Sequence, residues 1–308
     1  MKILFTAGGS PGNELIYHKL KLVHDIWFAD ADLDRISNVI PNDRKILTPL
    51  VNQSNYFKII VEFCARKNIE LLVPGIDEEL VRMHESFKLI KPTSLFLPSK
   101  VFIENMLDKY LSMQILANLD IPVPLTLKLE DAHNFNSFPL ILKPRWGRGS
   151  RGIQIITKKE ELELYAKIKK LNNEDYVCQA FAEGEEYTVQ ILNSKDRKNT
   201  LIIPLRVLLK KGVTLTAEID FDKNIIEMCK KMAMGFDENN IYNVQLIKTS
   251  KDNSLRVFEV NPRFSTTTCI LTSIGIDPFK LDANKIEQSE LKSFQGLKLN
   301  RTLTNNVV

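Results

Sequence analysis

The sequence NVQLIKTSKDNSLRVFEVNPR, residues 243–263, contains two runs of apolar residues on either side of the polar turn KDN at 251–253. This pattern predicts a β-hairpin. If the turn is symmetric about its central aspartate, Gln245 lies opposite Glu259, and Asn261 projects from the same face two residues further along the strand. The hairpin then gathers a carboxylate and two amide oxygens, and hard oxygen ligands of this kind suit Mg²⁺.

The polar face of this hairpin also has a simpler interpretation, because glutamate and asparagine are common on the solvent-facing side of a strand. The residues around it argue against that interpretation. Phe258 and Val260 are predicted to face the core, and Pro262 ends the strand. Arg263 then lies beside the metal-like patch, where a guanidinium group can bind a phosphate through two parallel hydrogen bonds.

A second segment, PLILKPRWGRGSRGI at 139–153, predicts an apolar strand that ends in a lysine and a glycine-rich loop. Lys143 has no acidic neighbour in the sequence, so we expect it to pair with an anion. Gly147, Gly149 and Gly152 allow backbone N–H groups to close over phosphates. The loop lacks the GxxxxGK[ST] pattern of P-loop proteins. A purely structural hairpin rich in glycine and arginine is the alternative.

A third segment, QAFAEGEEYTV at 179–189, joins the end of a predicted strand to a short linker. We expect backbone groups at such a hinge to contact an adenine edge. The carboxylates of Glu183, Glu185 and Glu186 are then available to ribose hydroxyl groups. Taken alone, this segment carries little information.

The first hundred residues alternate between short apolar runs and helical segments, as is typical of a parallel sheet with helices on both faces. Strands are predicted at Lys2–Thr6, Asp25–Ala29 and Ile69–Pro74, with a helix at Tyr56–Lys67. Such sheets bind ligands at the carboxyl ends of their strands. The glycine-rich turn at 8–12 lacks a full GxGxxG pattern, so dinucleotide binding there is the less favoured interpretation.

Local signals predict several helix limits in the rest of the chain. Ser99 is a predicted N-cap for one continuous helix, Lys100–Asn118. The spacing of Thr157 and Glu160 matches a capping box. A helix is also predicted at Phe279–Ile286, and the polar tail from residue 298 is expected to be loosely held.

Composition excludes several classes of function. The 308 residues include 42 Lys and Arg against 38 Asp and Glu, a formal net charge of +4 that is too balanced to indicate a nucleic-acid partner. The four cysteines are far apart and form no CxxC pair, which predicts reduced, buried thiols without a disulfide or zinc site. No apolar run approaches the length of a membrane span. We therefore expect a cytoplasmic protein without nucleic-acid or membrane partners, and leave a homodimer open.

The three segments, in this order, resemble the ATP-grasp superfamily. More narrowly, they resemble the domain that recurs in the large subunit of carbamoyl-phosphate synthetase and its stand-alone relatives. The matching features are LKPRWGRGSRGI, QAFAEGEEYTV, NVQ and, above all, FEVNPRFS, which is similar to the family's Glu-x-Asn-Pro-Arg signature. The early segment PGIDE at 74–78 looks like part of the pre-ATP-grasp domain of the same relatives.

This chain departs from many relatives at two positions. Several relatives have a glutamate where Gln179 stands, and many use two acidic metal ligands where this chain offers Gln245. The second departure matches the carbamoyl-phosphate synthetase pattern, so it favours that branch.

The resemblance implies a mixed α/β and α+β fold with three parts. Residues 1–98 form a Rossmann-like pre-ATP-grasp domain with a parallel sheet. Residues 99–182 comprise a linking helix and the small lid subdomain. Residues 183–308 form a C-terminal ATP-grasp subdomain with a mostly antiparallel sheet.

The resemblance also implies the residues that bind Mg-ATP. The residues implied for the nucleotide are Lys109, Lys143, Gly147, Gly149, Ser150, Gly152, Gln179, Ala180, Phe181, Ala182 and Glu186. One or two Mg²⁺ ions, with Mn²⁺ as an alternative, would be held by Gln245, Glu259 and Asn261. Arg263 would stabilise the transferring phosphoryl group, with Lys143 on the phosphates.

The acceptor side is predicted from strand ends alone. Arg206 lies on a strand that leads toward the active face, and we expect it to act catalytically by clamping a carboxylate. The acceptor pocket is expected near Asn13, Asp77 and Glu78, with Thr266–Thr268 beside it.

The chemistry implied by the resemblance is ligation. A small-molecule carboxylate attacks the γ-phosphate of ATP and gives an acyl phosphate, and an amine or ammonia then displaces phosphate. Positioning and charge neutralisation are enough for phosphoryl transfer, so no protein nucleophile is required. A kinase-like phosphotransferase acting on a small carboxylate, and a nucleotide-binding module without turnover, are the alternatives.

Overall fold

Five parallel strands form a sheet in the first third of the chain. The structure, a computed structural model, describes residues 1–87, 93–194, 199–236, 238, 240–280 and 287–302. The strands of the first sheet are β1 (Lys2–Phe5), β2 (Asp25–Asp30), β3 (Lys45–Leu47), β4 (Leu71–Val73) and β5 (Ser94–Leu95). They lie in the order β3-β2-β1-β4-β5, and every neighbouring pair is parallel. The predicted N-terminal parallel sheet is therefore confirmed.

Helices cover this sheet because its strands are apolar on both faces. They are α1 (Asn13–Leu20), α2 (Tyr56–Lys67) and α3 (Asp77–Phe87). Sequence analysis located α2 correctly and missed α3, whose first turn is acidic and whose apolar residues Leu80 and Met83 are buried. The order of strands reverses between β1 and β4, so the loops that follow these two strands lie next to each other at a switch point.

A smaller antiparallel sheet follows. Its strands are β6 (Thr126–Lys128), β7 (Leu140–Pro144), β8 (Gln154–Ile156) and β9 (Tyr176–Ala180), in the order β6-β9-β7-β8. The helices of this part are α4 (Lys100–Leu107), α5 (Lys109–Asn118) and α6 (Lys159–Lys169). Strand, glycine-rich loop, strand, helix and strand thus follow one another from β7 to β9, in the order expected of the small lid subdomain that the resemblance implies.

The last part of the chain is a six-stranded antiparallel sheet. Its strands are β10 (Gly184–Asn193), β11 (Thr200–Lys211), β12 (Val213–Ile219), β13 (Asn240–Thr249), β14 (Leu255–Asn261) and β15 (Lys298–Asn300), in the order β14-β13-β10-β11-β12-β15. Its helices are α7 (Lys223–Gly235) and α8 (Ile270–Ser273). Short 3₁₀ helices in the described parts of the chain lie at Leu33–Arg35, Asn42–Arg44, Leu129–Asn134, Thr266–Cys269, Pro278–Lys280 and Glu290–Phe294.

One hydrophobic core joins the first sheet to the last. Phe5 and Phe28 stack with ring centroids 5.3 Å apart, and Phe264, just beyond β14, meets the Phe5 ring edge-on at 5.7 Å. Ile203 and Leu205 of β11 belong to the same buried cluster. Each such side chain contributes about 1.5–3 kcal/mol when it is fully buried. The N-terminal sheet is therefore fixed against the sheet that carries Glu259.

The helix predicted over Lys100–Asn118 is wrong in one respect, because the structure breaks it into α4 and α5 at Asp108. The backbone of Asp108 is extended, and its carboxylate accepts hydrogen bonds from the N–H groups of Tyr110 and Leu111. An aspartate caps a helix N-terminus well, so its side chain competes with the helical hydrogen bond at this position.

Two further predictions fail at chain ends and caps. Helix α6 begins after Lys158 without a side-chain cap; Thr157 instead bonds to Glu161 through its N–H and hydroxyl groups, both 2.8 Å from one carboxylate oxygen. The tail is held at residues 298–300, since β15 pairs with β12 and buries Leu299, while residues 303–308 lie outside the described part. Of the helix predicted at Phe279–Ile286, only a 3₁₀ turn to Lys280 is described, and residues 281–286 lie outside the described part.

All four cysteines are buried, as predicted. They are Cys64, Cys178, Cys229 and Cys269. Burial raises the pKa of the Cys64 and Cys178 thiols to about 12. Among the helices that the structure describes, none combines the length and the apolar character needed to cross a bilayer.

Candidate active site

The hairpin predicted from residues 243–263 is formed by β13 and β14. Gln245 pairs with Glu259 across the two strands, and Asn243 pairs with Asn261. The predicted pairing of Gln245 with Glu259 is therefore confirmed. Asn243, which sequence analysis did not single out, donates to the Thr188 hydroxyl at 2.7 Å, and its side-chain oxygen lies 3.4 Å from the Asn261 amide nitrogen. It thereby orients the Asn261 side chain.

Phe258 contradicts the prediction that it faces the core. The register shifts between Gln245 and Leu246, which pairs with Val257, so Phe258 is the extra residue of a β-bulge. The bulge turns both Phe258 and Glu259 toward one face, while Val257 and Val260 are buried on the other. Strict alternation cannot anticipate an inserted residue, and this explains the error.

The side chain of Lys143 is held by the bulge and by a glutamine. Its Nζ donates to the carbonyl oxygen of Phe258 at 3.2 Å and to Oε1 of Gln179 at 2.9 Å. Gln179 in turn donates to the Thr126 hydroxyl at 2.9 Å, which fixes the orientation of its amide. Lys143 is only 4% exposed, and the only groups it contacts through hydrogen bonds in the described chain are neutral.

Burial governs the ionisation of Lys143. Desolvation lowers its pKa to about 8; the Glu259 charge opposes this change, while Lys109 and Lys210 add to it. The ring of Phe258 lies beside two ammonium groups, with its centroid 5.7 Å from Nζ of Lys143 and 5.9 Å from Nζ of Lys210. A buried ammonium group with no carboxylate in contact is suited to meet an anionic ligand.

Lys109 connects the start of α5 to both the glycine-rich loop and Glu259. Its Nζ donates to the Gly147 carbonyl oxygen at 2.5 Å and lies 3.5 Å from Oε1 of Glu259. Gly147 and Gly149 have positive φ angles of 121° and 68°, and a Cβ atom at either position would meet nothing within 4 Å. The loop therefore presents bare backbone to open space, as a loop that closes over a ligand must.

An ion pair that the sequence did not reveal supports this loop. Arg145 donates to the two oxygens of Asp108 at 2.8 Å and 2.6 Å, and the Arg145 carbonyl oxygen accepts from the N–H of Lys109 at 3.0 Å. These contacts join the end of β7 to the break between α4 and α5. The sequence signal at this position was Asp108 itself, because aspartate is a preferred N-cap residue and marks the start of a new helix.

The PGIDE segment contacts the site through two arginines. Asp77 accepts from Nε of Arg263 at 2.5 Å, and Glu78 accepts from Nε of Arg148 in the glycine-rich loop at 2.9 Å. Burial acts against the Arg263 charge, but the Asp77 carboxylate more than offsets it and keeps the pKa of Arg263 raised. Asp77 and Glu78 are thus engaged with protein groups, and neither lines the cleft described next.

These elements surround a cleft of ≈ 380 Å³. Residues from all three parts of the chain form its walls. The predicted site residues that the structure brings together there are Lys109, Lys143, Gly147, Gly149, Ser150, Gln179, Gln245, Glu259, Asn261 and Arg263. The predicted site residues that are not in its walls are Gly152, Ala180, Phe181, Ala182, Glu186 and Arg206.

Arg206 does not reach the cleft because its neighbours on adjacent strands engage it. Glu218 lies directly opposite it on β12 and accepts from its guanidinium group, at 3.1 Å from Nε. Glu185 accepts from Nη1 at 2.8 Å. Two carboxylates thus hold the Arg206 side chain on the sheet. The sequence did not indicate these contacts, because the three residues are far apart along the chain.

The predicted nucleotide contacts around the hinge also find other partners. The N–H of Ala180 donates to Leu125 at 2.8 Å and the N–H of Phe181 donates to Pro139 at 3.3 Å, so both are used within the lid. Glu186 accepts from Lys210 at 2.5 Å, and the same ammonium lies 3.3 Å from the Gln245 side-chain oxygen. Lys210, which lines the cleft, was not predicted.

A hydroxyl-rich turn at Ser265–Thr268 contributes to the wall of the cleft. Gln190, fully buried, accepts from Ser265 at 3.1 Å and from Thr268 at 2.8 Å, and donates to Thr267 at 2.8 Å. Thr266 and Thr267 line the cleft, as the predicted acceptor pocket requires, whereas Thr268 lies behind them. A smaller cavity adjoins this turn and is lined by Asn13, among others.

Comparison with solved structures identifies the fold. The biotin carboxylase domain of a 2-oxoglutarate carboxylase from Hydrogenobacter thermophilus, solved with MgADP, ADP and bicarbonate, matches with a TM-score of 0.71 at 17% identity, over 96% of this chain and 72% of that chain. N5-carboxyaminoimidazole ribonucleotide synthetase from Thermotoga maritima matches with a TM-score of 0.63 at 18% identity, over 85% and 68% of the two chains. Biotin carboxylase from Campylobacter jejuni matches with a TM-score of 0.71 at 15% identity, over 96% and 73%.

A sequence model of the ATP-grasp domain matches residues 106–267. The match spans more than half of the chain and includes the lysine strand, the glycine-rich loop and the hairpin with its bulge. The mixed fold, with a parallel N-terminal sheet and two antiparallel sheets, agrees with it. The resemblance found in the sequence is therefore confirmed, and the chain belongs to the ATP-grasp family.

Proposed function

We propose that this protein is an ATP-dependent ligase that joins a small-molecule carboxylate to an amine or to ammonia through an acyl phosphate, releasing ADP and phosphate. The observation that carries the proposal is the convergence of Lys143, the Gln245–Glu259 pair and Arg263 in one cleft beneath the glycine-rich loop. Its membership of the ATP-grasp family and its likeness to biotin carboxylases and a ribonucleotide synthetase support it.

ATP would lie between the lid and the last sheet. Lys143 and Lys109 would contact its phosphates, and the backbone of the loop around Gly147 and Gly149 would cover them. Glu186 and the hinge at 180–182 remain proposed contacts of the ribose and adenine, although in the present arrangement their polar groups bond within the protein. Nucleotide binding would therefore require these groups to exchange partners.

The residues of the hairpin fit a magnesium ion. Gln245, Glu259 and Asn261 supply one carboxylate and two amide oxygens on one face. Within the described residues there is no group of three His, Cys, Asp or Glu side chains able to hold a metal. Mg²⁺ keeps few protein ligands and completes its shell with phosphate oxygens and water, so one carboxylate with amide neighbours suits it, and Mn²⁺ would be accepted as well.

The proposed mechanism rests on positioning and charge. When bound, Mg²⁺ would neutralise the phosphate oxygens. Arg263 would stabilise the charge of the transferring phosphoryl group while the carboxylate substrate attacks it, and Lys143 would hold the phosphates in line. The glycine-rich loop would exclude water that would otherwise hydrolyse the acyl phosphate. The amine would then add to the acyl carbon, and phosphate would leave.

Four finer assignments belong to the same proposal. The single carboxylate of the Gln245–Glu259 pair favours the carbamoyl-phosphate synthetase branch. The chain would divide into a pre-ATP-grasp domain at 1–98, a lid with its linking helix at 99–182 and a C-terminal subdomain at 183–308. A cytoplasmic location and a homodimer, the latter measurable by light scattering, stay predictions.

The proposed function can be tested without knowing the amine, so only the carboxylate substrate has to be identified. Hydroxylamine replaces the amine, because it converts any acyl phosphate into a stable hydroxamate. The protein is incubated with Mg-ATP, hydroxylamine and a panel of small carboxylates, while ADP and hydroxamate are measured together. We expect at least one carboxylate to give equal amounts of both, with neither product when carboxylate is omitted.

Other products would contradict the ligase proposal. ADP with a stable phosphorylated compound, and no hydroxamate, would identify a kinase-like phosphotransferase. Nucleotide binding without ADP release for any carboxylate would identify a binding module.

The lowered pKa of Lys143 predicts how nucleotide affinity depends on pH. The ammonium form that attracts phosphate is fully present below its pKa of about 8 and is lost as pH rises above it. We expect the affinity for Mg-ADP, measured by calorimetry, to fall about tenfold between pH 7 and pH 9. The variant Lys143→Arg keeps its charge over this range and should lose the dependence. An equal fall in both proteins would contradict the assignment.

A further inference from the structure

The charge of the cleft exceeds what a nucleotide needs. Of the nine ionisable side chains that line it, eight are cationic and only Glu259 is acidic. Mg-ATP carries a net charge of about −2 when one ion is bound. Three of the eight cations, Arg35, Arg151 and Lys211, are exposed to solvent and available to attract an anionic ligand into the cleft.

Four of these eight cations already have a carboxylate partner in the protein. Lys109 lies beside Glu259, Arg148 beside Glu78, Lys210 beside Glu186 and Arg263 beside Asp77. Lys143 is the buried lysine assigned above to phosphate. Among the described residues, three lining cations have no carboxylate within 4.0 Å, namely Arg35, Arg151 and Lys211.

The three unpaired cations come from three different elements of the fold. Arg151 belongs to the glycine-rich loop. Lys211 precedes Gly212, where an added Cβ would lie 3.4 Å from the Gly149 carbonyl oxygen, so it also stands beside that loop. Arg35 comes from the N-terminal sheet and is the one lining cation that residues 1–98 contribute, within the described part of the chain. It belongs to the 3₁₀ helix Leu33–Arg35, an element separate from the glycine-rich loop that would cover the phosphates.

The backbone of Arg35 is built into the fold. It ends the 3₁₀ helix Leu33–Arg35, which Asp32 caps by accepting from the N–H of Asp34 at 3.1 Å. Gly9 packs so closely that an added Cβ would lie 2.6 Å from the Arg35 Cβ, and its N–H donates to Asp30 at 2.8 Å. Asp32 and Asp34 lie within three residues of Arg35 in the sequence, yet neither forms an ion pair with it in the described structure.

We infer that the carboxylate substrate carries a second anionic group, a further carboxylate or a phosphate, and that Arg35 binds it. This inference rests on the proposed function. The reacting carboxylate would lie near Arg263 and the hydroxyl-rich turn, and the second anionic group would meet the guanidinium group of Arg35 in the part of the cleft lined by Ser10 and Pro11. Arg35 would thus determine specificity without taking part in phosphoryl transfer.

The experiment compares matched carboxylates in the hydroxamate assay. Each pair differs by one anionic group: glutamate and glutamine, aspartate and asparagine, phosphoserine and serine, phosphoglycerate and glycerate. We expect the member with the extra charge to be preferred in the pair that reacts. For that substrate, Arg35→Gln should lower kcat/KM about thirtyfold through a higher KM, the loss typical of one charge-assisted contact.

Three controls separate specificity from damage. Arg35→Lys keeps the charge and should recover most of the activity. Arg66→Gln removes an arginine on helix α2 that does not line the cleft, and should behave like the unaltered protein. The KM for ATP should stay constant in all of these variants, because Arg35 is not among the residues proposed to contact the nucleotide.

The outcomes that would refute the second anionic group differ from those that would refute the ligase function. If hydroxamate forms equally well with both members of the reactive pair, or if Arg35→Gln weakens both alike, the second anionic group is refuted while the ligase stands. A rise in the KM for ATP in Arg35→Gln would also refute it, by assigning Arg35 to the nucleotide. If no carboxylate gives hydroxamate, the proposed function fails and this inference with it.

Discussion

Replacing Glu259 by glutamine is expected to lower carboxylate-dependent ADP release by about a thousandfold. Glu259 is the one acidic side chain among the described residues of the cleft wall, so the variant would leave the metal with amide ligands alone. It would also strip Lys109 of the carboxylate that lies 3.5 Å from its Nζ. ADP release measured against Mg²⁺ and Mn²⁺ concentration checks the result, since a lost ligand raises the metal requirement as well as lowering the rate.

The partner of Glu259 provides the matched control. Gln245 faces it directly across the hairpin, so Gln245→Glu creates a site with two acidic ligands in the same geometry. We expect this variant to fold, to stay active and to need less metal for half-maximal rate. If Glu259→Gln releases ADP at the unaltered rate, the hairpin is not the metal site and the catalytic assignment is wrong.

Replacing Glu79 by alanine is expected to cost about 4 kcal/mol of stability. The carboxylate is fully buried and accepts four hydrogen bonds, from Thr6 and Tyr56 at 2.5 Å, and from the N–H groups of Gly75 and Ile76 at 2.9 Å and 3.1 Å. Its removal would leave several buried donors without an acceptor and would open a cavity. Urea unfolding followed by fluorescence measures the free energy of unfolding.

A variant that loses one hydrogen bond to Glu79 gives a reference for the stability lost in Glu79→Ala. Tyr56→Phe removes one of the four donors and keeps the ring that packs against Phe57 at 5.1 Å, so we expect a loss of about 1 kcal/mol. A Glu79→Ala variant no less stable than Tyr56→Phe would mean that water replaces the carboxylate without cost. In that case, Glu79 would not be what organises the loop that brings Asp77 to Arg263.

Sequence reasoning located the centre of the site because its signals are local. The apolar alternation around a polar turn was enough to pair Gln245 with Glu259, and a lysine at the end of an apolar strand was enough to draw attention to Lys143. Both patterns arise from the periodicity of strands and from turn chemistry, which operate over a few residues. The parallel first sheet followed from strand–helix alternation for the same reason.

The errors arose where distant residues meet. Nothing in the sequence joins Asp77 to Arg263 or Arg206 to Glu218, because these pairs form only when separate strands and loops come together. The bulge at Phe258 and the break at Asp108 are local features, and each is also joined to a distant residue, Lys143 in one case and Arg145 in the other. Tertiary contacts of this kind override local preference.

The closed environment of the cysteines has a practical consequence for spectroscopy. All four lie within the described residues and are buried, and burial raises the pKa of each thiol, so none presents a reactive thiolate at neutral pH. A cysteine introduced at Ile155, which is 49% exposed on lid strand β8, would then react with a maleimide dye in the otherwise unaltered protein. Fluorescence from that single label would follow the lid in real time as nucleotide and carboxylate are mixed in.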